Sequence, residues 1–221
     1  MQYIDGFTKL KYRLNKSGTQ DFENIDKDAA SEVINKAFND WFRRTYHGNN
    51  ILKEGNEESR IRIDDLQPLL SSRKLTMTDR GVYSESNNLP RDYRYFNRVY
   101  FLHKDDCGEI IIPSQLAEDS NVDVLLNTDG TKPSLDFEQV FHTISSNKIK
   151  VYHNKEFLPK EVTLSYYKNP KKYDSNKPYE YFELKDDVME LIIDEAAKII
   201  AGDMDNNNQY QRNSTSVENN N

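Results

Sequence analysis

His103, Asp105, Asp106 and Cys107 gather the side chains best suited to chemistry into one short stretch. A His and a Cys four residues apart would share one face of a helix and hold a metal between them, and a Cys beside a His is a nucleophile with its base. The bend reading weighs more. Lys104 to Gly108 has turn composition, in which Asp is common because its side chain bonds to nearby backbone, and no second Cys or His stands at a spacing that would complete a metal site. Asp64 and Asp65 are a pair of carboxylates, but adjacent residues point apart in helix and strand alike, so a working acid–base pair would need partners from elsewhere. His142 and His153 sit in apolar, strand-like surroundings that suit core or edge histidines better than catalytic bases. Lys168, Lys171 and Lys172 interleave with Tyr166, Tyr167 and Tyr173, a pattern that fits nucleic acid, an acidic protein rim or simply a solvated loop. The eight glycines are scattered and form neither a dinucleotide fingerprint nor a phosphate loop, so no nucleotide cofactor is expected, nor any other cofactor or metal.

Composition narrows the classes further. The 221 residues suffice for one well-cored domain or two small ones, while 36% hydrophobic content and a mean hydropathy of -0.90 leave a thin core for a chain that also had to line a dry catalytic cleft. The single cysteine excludes an internal disulfide framework and fits a reducing compartment during folding. No stretch approaches the roughly 18 apolar residues of a membrane span, and Met1 to Lys11 lacks the apolar core of a signal peptide, so a soluble protein without a membrane partner is expected. A net charge of -7 argues against a broad grip on phosphate backbones, yet suits the lining of a conduit through which DNA slides without sticking. The 23 asparagines and 14 tyrosines read as the mark of an AT-rich genome.

The elements that must position these residues follow from periodicity. Ala30, Val33, Ile34, Ala37, Phe38, Trp41 and Phe42 recur at helical steps and predict a helix from Asp26 to Tyr46, capped by Asp26 or Asp28 and stopped at Gly48. Met1 to Leu14 shows no strong period. The stretch from Asn49 to Asn88 reads as a long polar connection, with Ile61, Ile63, Leu66, Leu69 and Leu70 its only apolar cluster, broken near Pro68. From Leu89 the types become aromatic and β-branched, predicting strands near Asn97 to His103, Glu109 to Ile112 and Val122 to Leu126, then a hairpin of Lys148 to His153 with Val162 to Tyr167. Val188, Leu191, Ile192, Ala196, Ile199 and Ile200 predict a final helix from Leu184 to Met204, with Asp187 and Glu190 spaced as a capping box. The expected fold class is α+β: a helical bundle formed by N- and C-terminal helices with an inserted antiparallel β domain and an extended C-terminal tail. The expected boundaries are 1–88 for the helical part with its polar connection, 89–181 for the β domain, 182–204 for the closing helix and 205–221 for the tail.

That tail, Asp205 to Asn221, holds seven asparagines and almost no apolar residue. Such a segment cannot bury enough surface to offset the entropy of ordering it, so it is expected to order only on something outside the chain, as in a subunit of a larger assembly.

Leu89-Pro90-Arg91-Asp92-Tyr93, the strand ending Leu164-Ser165-Tyr166-Tyr167-Lys168-Asn169-Pro170, the acidic entry to the last helix and the Asn-rich end together resemble phage head-to-tail connector subunits. The resemblance is to the tail tubular protein A and ring proteins of short-tailed phages, in which a Leu-Pro-x-Asp-Tyr entry precedes β structure and a Leu-x-Tyr-Tyr-x-x-Pro strand precedes the final helix. The Asn, Tyr and Lys richness is most similar to ring proteins of crAss-like phages of gut Bacteroidales. The resemblance spans about residues 20 to 221 and leaves the connection from Asn49 to Asn88 unmatched. It implies a virion structural protein, not an enzyme, assembled in the bacterial host cytoplasm as a ring of about twelve copies, a dodecamer, beneath the portal protein. Such a ring seals packaged DNA, joins the other tail and ring proteins and passes double-stranded DNA at ejection. It implies a tail lying along the portal or a neighbouring subunit, through Asn206, Asn207, Asn208, Tyr210 and Arg212. The aromatic helix face of Phe38, Trp41 and Phe42 reads most simply as core, with an intersubunit role for part of it as the sharper alternative because Trp, Tyr and Arg are favoured interface anchors; Trp41, Phe42, Tyr166, Tyr167, Lys171 and Lys172 are the candidate subunit-interface residues. The alternatives are a non-catalytic carbohydrate- or protein-binding module and a hydrolase centred on His103, Asp105 or His142.

Overall fold

The computed structural model describes residues 1–15, 25–47, 64–105, 108–153, 155 and 157–203. Two compact units divide the chain, one made of residues 1–69 with 170–221 and the other of residues 70–169.

In the helical unit, α1 (Tyr3–Asn15) and α2 (Lys27–His47) each pack on α4 (Asp186–Asp203). Asp26 caps α2 as its sequence predicts: its carboxylate accepts from the Ala29 amide at 3.2 Å and its carbonyl from the Ala30 amide at 3.0 Å. Ala30, Ile34, Ala37, Trp41 and Phe42 are buried along one face of α2. α4 is buried more widely than a single stripe requires, since Met189, Ile193 and Ala197 join Val188, Ile192 and Ala196 in the core. A helix with a neighbour on each flank needs a broad apolar face. Its capping box does not form: Glu190 is instead held by Lys9 and Arg13 of α1, and Arg13 also binds Asp194. α1 itself was not legible as a helix. Its buried face is Tyr3, Gly6, Leu10 and Leu14, and Gly6 breaks the hydrophobic count because it is chosen for space. A Cβ there would stand 2.9 Å from the Phe182 ring. The segment returning to α4 is pinned by Asn35, whose side-chain amide donates to the Tyr173 carbonyl at 3.0 Å and accepts from the Tyr173 amide at 2.9 Å.

The second unit is a closed barrel of seven strands in the order β1-β2-β6-β5-β4-β3-β7. The strands are β1 (Leu70–Asp79), β2 (Tyr83–Ser86), β3 (Tyr93–Asp105), β4 (Gly108–Leu116), β5 (Phe141–Ser145), β6 (Lys148–Tyr152) and β7 (Glu161–Lys168). Each strand has a neighbour on both sides, although β4 meets β5 only at Gln115 and Leu116, and alternate side chains fill the interior. Leu75, Val99, Phe101, Ile149, Val162 and Leu164 are among its buried apolar residues. Every pairing is antiparallel except β4 with β5, which run parallel and are linked through the short helix α3 (Val122–Asn127).

This architecture corrects the fold expected from the sequence. A helical bundle carrying an inserted antiparallel β domain is not what forms: the β region closes on itself, and one of its pairings is parallel. Two of its strands, β1 and β2, lie within residues 49–88, the stretch read as a polar connection. A barrel strand shows the core only every second residue, and β2 turns Ser84 and Ser86 inward, so neither strand carries a run of apolar letters. β6 and β7 exist where expected but are not a hairpin. β6 pairs with β2 and β5, and β7 with β1 and β3. Val122 to Leu126 is helical and not a strand. The unanticipated β5 forms the true hairpin with β6, through Ser146 and Asn147 at φ of 50° and 61°, a pair of left-handed residues that suits a tight turn.

Candidate interaction surface

The residues singled out for chemistry are not brought together into one site among the described residues. His103 lies in strand β3 opposite Ile110, so its spacing to Cys107 is not a helical one; Asp106 and Cys107 are outside the described residues, as is the side chain of Asp105. No group of three or more potential metal ligands occurs among the described residues. Asp64 is exposed, and Asp65 lies 3.9 Å from Lys185; burial and Asp187 raise the Asp65 carboxyl while Lys185 lowers it.

His142 and His153 are both buried in the barrel unit. His142 Nδ1 lies 2.9 Å from the Ser114 hydroxyl, its ring packs on Phe96, and burial pushes it down to about 4, so it is neutral at neutral pH. Its Nε2 has no partner. At His153 the Lys155 amide donates to Nδ1 at 3.1 Å, which leaves the proton on Nε2, facing the Ser84 hydroxyl at 3.0 Å. Burial lowers His153 too, against the opposing pull of Asp79. These imidazoles tie strand to strand within a buried wall.

The expected interface residues divide sharply. Trp41 and Phe42 are buried within their own unit, in a ladder of rings with Phe38 and Tyr46, which agrees with the core reading of that face and not with its alternative as a subunit anchor. Tyr166 is buried as well, its hydroxyl donating to Asp92 Oδ1 at 3.0 Å, and it is corrected from interface to core. Tyr167 is half-buried on β7, opposite Leu70 and Tyr95. Lys171 and Lys172 are exposed just after the barrel ends. Asn206, Asn207, Asn208, Tyr210 and Arg212 lie outside the described residues.

Two sequence motifs far apart in the chain meet. Tyr93 pairs with Lys168, the Asn169 amide donates to the Asp92 carbonyl at 2.6 Å, and the rings of Tyr93 and Tyr166 lie 5.8 Å apart. Leu-Pro-Arg-Asp-Tyr at the start of β3 and Tyr-Tyr-Lys-Asn-Pro at the end of β7 are thus one junction, with Asp92 at its centre.

Surface features that periodicity did not reveal stand at the two ends of β4. The β3–β4 hairpin carries apolar side chains into solvent: Leu102 is 50% exposed and its cross-strand partner Ile111 53%, while Ile110, paired with His103, is exposed on the other face. On the outer face below, Lys74 and Tyr100 flank Thr163 in adjacent strands, and Arg98 stacks on Tyr100 at 4.5 Å. At the far end of β4, Leu116, Ala117, Val124, Leu125, Val140 and Phe141 line a cavity of about 530 Å³ under the β4-to-β5 crossover. Around it the crossover exposes Glu118, Asp119, Asp123, Asp129, Asp136 and Glu138 against a single basic residue, Lys132. Phe137, 77% exposed, lies among these acids. No helix among the described residues is long and apolar enough to cross a membrane.

Set against known proteins, the chain matches no protein-family model and no curated sequence.

Proposed function

We propose that this protein is a virion structural subunit that forms a ring of the phage head-to-tail connector, without catalytic activity of its own. In this role about twelve copies assemble beneath the portal protein, seal the packaged DNA, join the next tail component and let double-stranded DNA pass at ejection. The observation that carries the reading is the junction at Asp92. The two motifs on which the resemblance to connector subunits rests, Leu89 to Tyr93 and Leu164 to Pro170, are bonded to one another around a single buried tyrosine. Motifs that look separate in sequence therefore behave as one unit. Acidic character supports it too, because a conduit of like charge does not trap DNA.

The Asn-rich tail acts as a strap. Ordering on the portal or a neighbouring subunit would give modest affinity per copy, and repetition around the ring would multiply it. Light scattering on the full-length protein, alone and mixed with connector components, tests the role: a ring, or a ring that forms on the partner template, supports it, and a monomer indifferent to every component rejects it. Deleting residues 205–221 is expected to leave both units folded and to impair docking; normal docking of the truncated chain would discard the strap. A non-catalytic binding module is the second reading, favoured by the open cavities of about 530 and 540 Å³ on the barrel unit. A monomeric barrel that binds ligand would select it.

A further inference from the structure

A closed turn in the β4–β5 crossover holds Phe137 out to solvent, 77% exposed. The Ser134 amide donates to the Gln139 carbonyl at 2.8 Å, and the Gln139 amide returns a bond to the Ser134 carbonyl at 2.9 Å. Within that closure the Glu138 amide donates to the Leu135 carbonyl at 3.0 Å, and Leu135 packs against the barrel core. Glu138 itself takes a left-handed φ of 52°, a conformation unfavourable for its side chain. The turn thus displays an aromatic ring between the exposed carboxylates of Asp136 and Glu138, neither of which has an ion-pair partner among the described residues.

The same unit carries a cleft of the opposite character. The ladder between β3 and β7 stops at the Tyr100–Thr163 pair, although β3 runs on to Asp105 and β7 starts at Glu161. Where these strands part, a cleft of about 540 Å³ opens. Its apolar lining includes the buried Phe101 and Phe157, with Leu102 50% and Leu158 58% exposed. Lys74, Lys104 and Lys160 also line it, all exposed and all without an ion-pair partner among the described residues. The described acids there are Glu161 in the lining and Glu109 across from Lys104. Turn and cleft do not meet within one copy. Gln115 bonds to Val140 beside the turn and Leu102 pairs with Ile111 beside the cleft, so four residues of β4, roughly 13 Å, separate them.

We infer that the Asp136-Phe137-Glu138 turn of one copy enters the Lys74, Lys104 and Lys160 cleft of a second copy of this chain. The Phe137 ring covers the apolar lining, and the two carboxylates lie among the lysines. An acidic aromatic turn and a basic apolar cleft complement each other, whereas two turns or two clefts repel, so the contact is heterologous. Such a contact closes into a ring when its rotation permits and otherwise extends as a filament. The inference rests on the ring-subunit reading and names the two surfaces that meet.

Charge reversal on the full-length chain tests it, with connector components present if the wild type assembles only on them. One variant combines Asp136→Lys with Glu138→Lys, and the other combines Lys74→Glu with Lys160→Glu. Each alone sets like charges against each other and should lose self-association about tenfold or more by sedimentation velocity. Mixed in equal amounts, each turn finds a cleft of opposite sign on the other variant, so assemblies of wild-type size should return. Misfolded variants could not rescue one another in this way. Phe137→Ser, which keeps every charge, should weaken association as well. Wild-type association should also weaken as salt rises. The side chains of Asp105, Asp106 and Glu156 lie near the cleft in sequence but outside the described residues. Were they to set its charge, the salt dependence would reverse, and that result would overturn the docking. Unchanged assembly of the variants, or no rescue on mixing, would overturn it too while leaving the ring subunit standing. A wild-type chain that stays monomeric at every concentration, alone and with connector components, would overturn both.

Discussion

The helical unit builds its core from apolar side chains and fastens its surface with ion pairs, whereas the barrel unit places hydroxyls and imidazoles inside. In the first, Leu10, Leu14, Phe42, Ile192 and Ile193 are fully buried, and Lys9, Arg13, Glu190 and Asp194 bridge α1 to α4. In the second, Ser84, Ser86, Ser114, His142, Thr143 and His153 are buried beside the aliphatic core. A narrow barrel has strands too short and too close to fill its interior with large aliphatics at every inward position, so small polar residues that bond across strands take part of the space. The two units therefore answer to different conditions: packing and ionic links for one, proton concentration for the other.

The largest break in this contrast should come from packing. Ile192→Ala, at a fully buried site between two helices, is expected to cost about 2–5 kcal/mol. Trp41 is the only tryptophan and lies in the helical unit, so its fluorescence during urea unfolding reads that loss directly. A shift below 1 kcal/mol would mean that the α4 core is looser than its burial indicates.

Acid should single out the barrel. The folded His142 stays neutral down to about pH 4 while the unfolded one titrates near 6.5. Between those values the unfolded chain binds a proton that the folded chain does not, so the contribution is full above pH 6.5 and is lost as pH falls towards 4, about 3 kcal/mol in all. His153, lowered by burial, acts in the same direction. The helical unit moves later. Burial would raise Glu190, but hydrogen bonds from Lys9 and Arg13 hold it below the usual carboxylate range, so its contribution persists above 4.5 and fades only in stronger acid. Hydrogen exchange near pH 5 should quicken in the β5–β6 peptides and leave α2 and α4 protected. His142→Asn should flatten the difference, and equal quickening of both units would refute it.

Smaller effects sharpen the same contrast. Arg13→Ala leaves Glu190 to Lys9 and takes the guanidinium from Asp194, and is expected to cost the helical unit about 1.5–3 kcal/mol, less in high salt, with barrel exchange unchanged. Tyr166→Phe removes the hydroxyl from Asp92 and should cost the barrel about 1 kcal/mol, seen as faster exchange at the start of β3 and the end of β7.

What could be read in advance depended on whether a residue's role was local. Asp26 caps α2 because the cap bonds within three residues. Gly6 hid α1, since its purpose is to admit Phe182, a neighbour that sequence spacing does not reveal. Tyr166 looked like an interface residue, and only the fold supplies the Asp92 that buries its hydroxyl.

Composition and period alone determined that this chain has long helices near residues 27–47 and 186–203, strands in the region after Leu89 and no phosphate-loop motif. These are properties of near neighbours along the chain, where the free energy of capping, alternation and entropy is local. Tertiary structure decided the rest: that β1 and β2 complete a closed barrel, that β6 and β7 have different partners, and that the apolar hairpin and the acidic cavity stand at opposite ends of one strand. Those outcomes depend on pairings between residues tens of positions apart, whose energies are set by which surfaces close over one another.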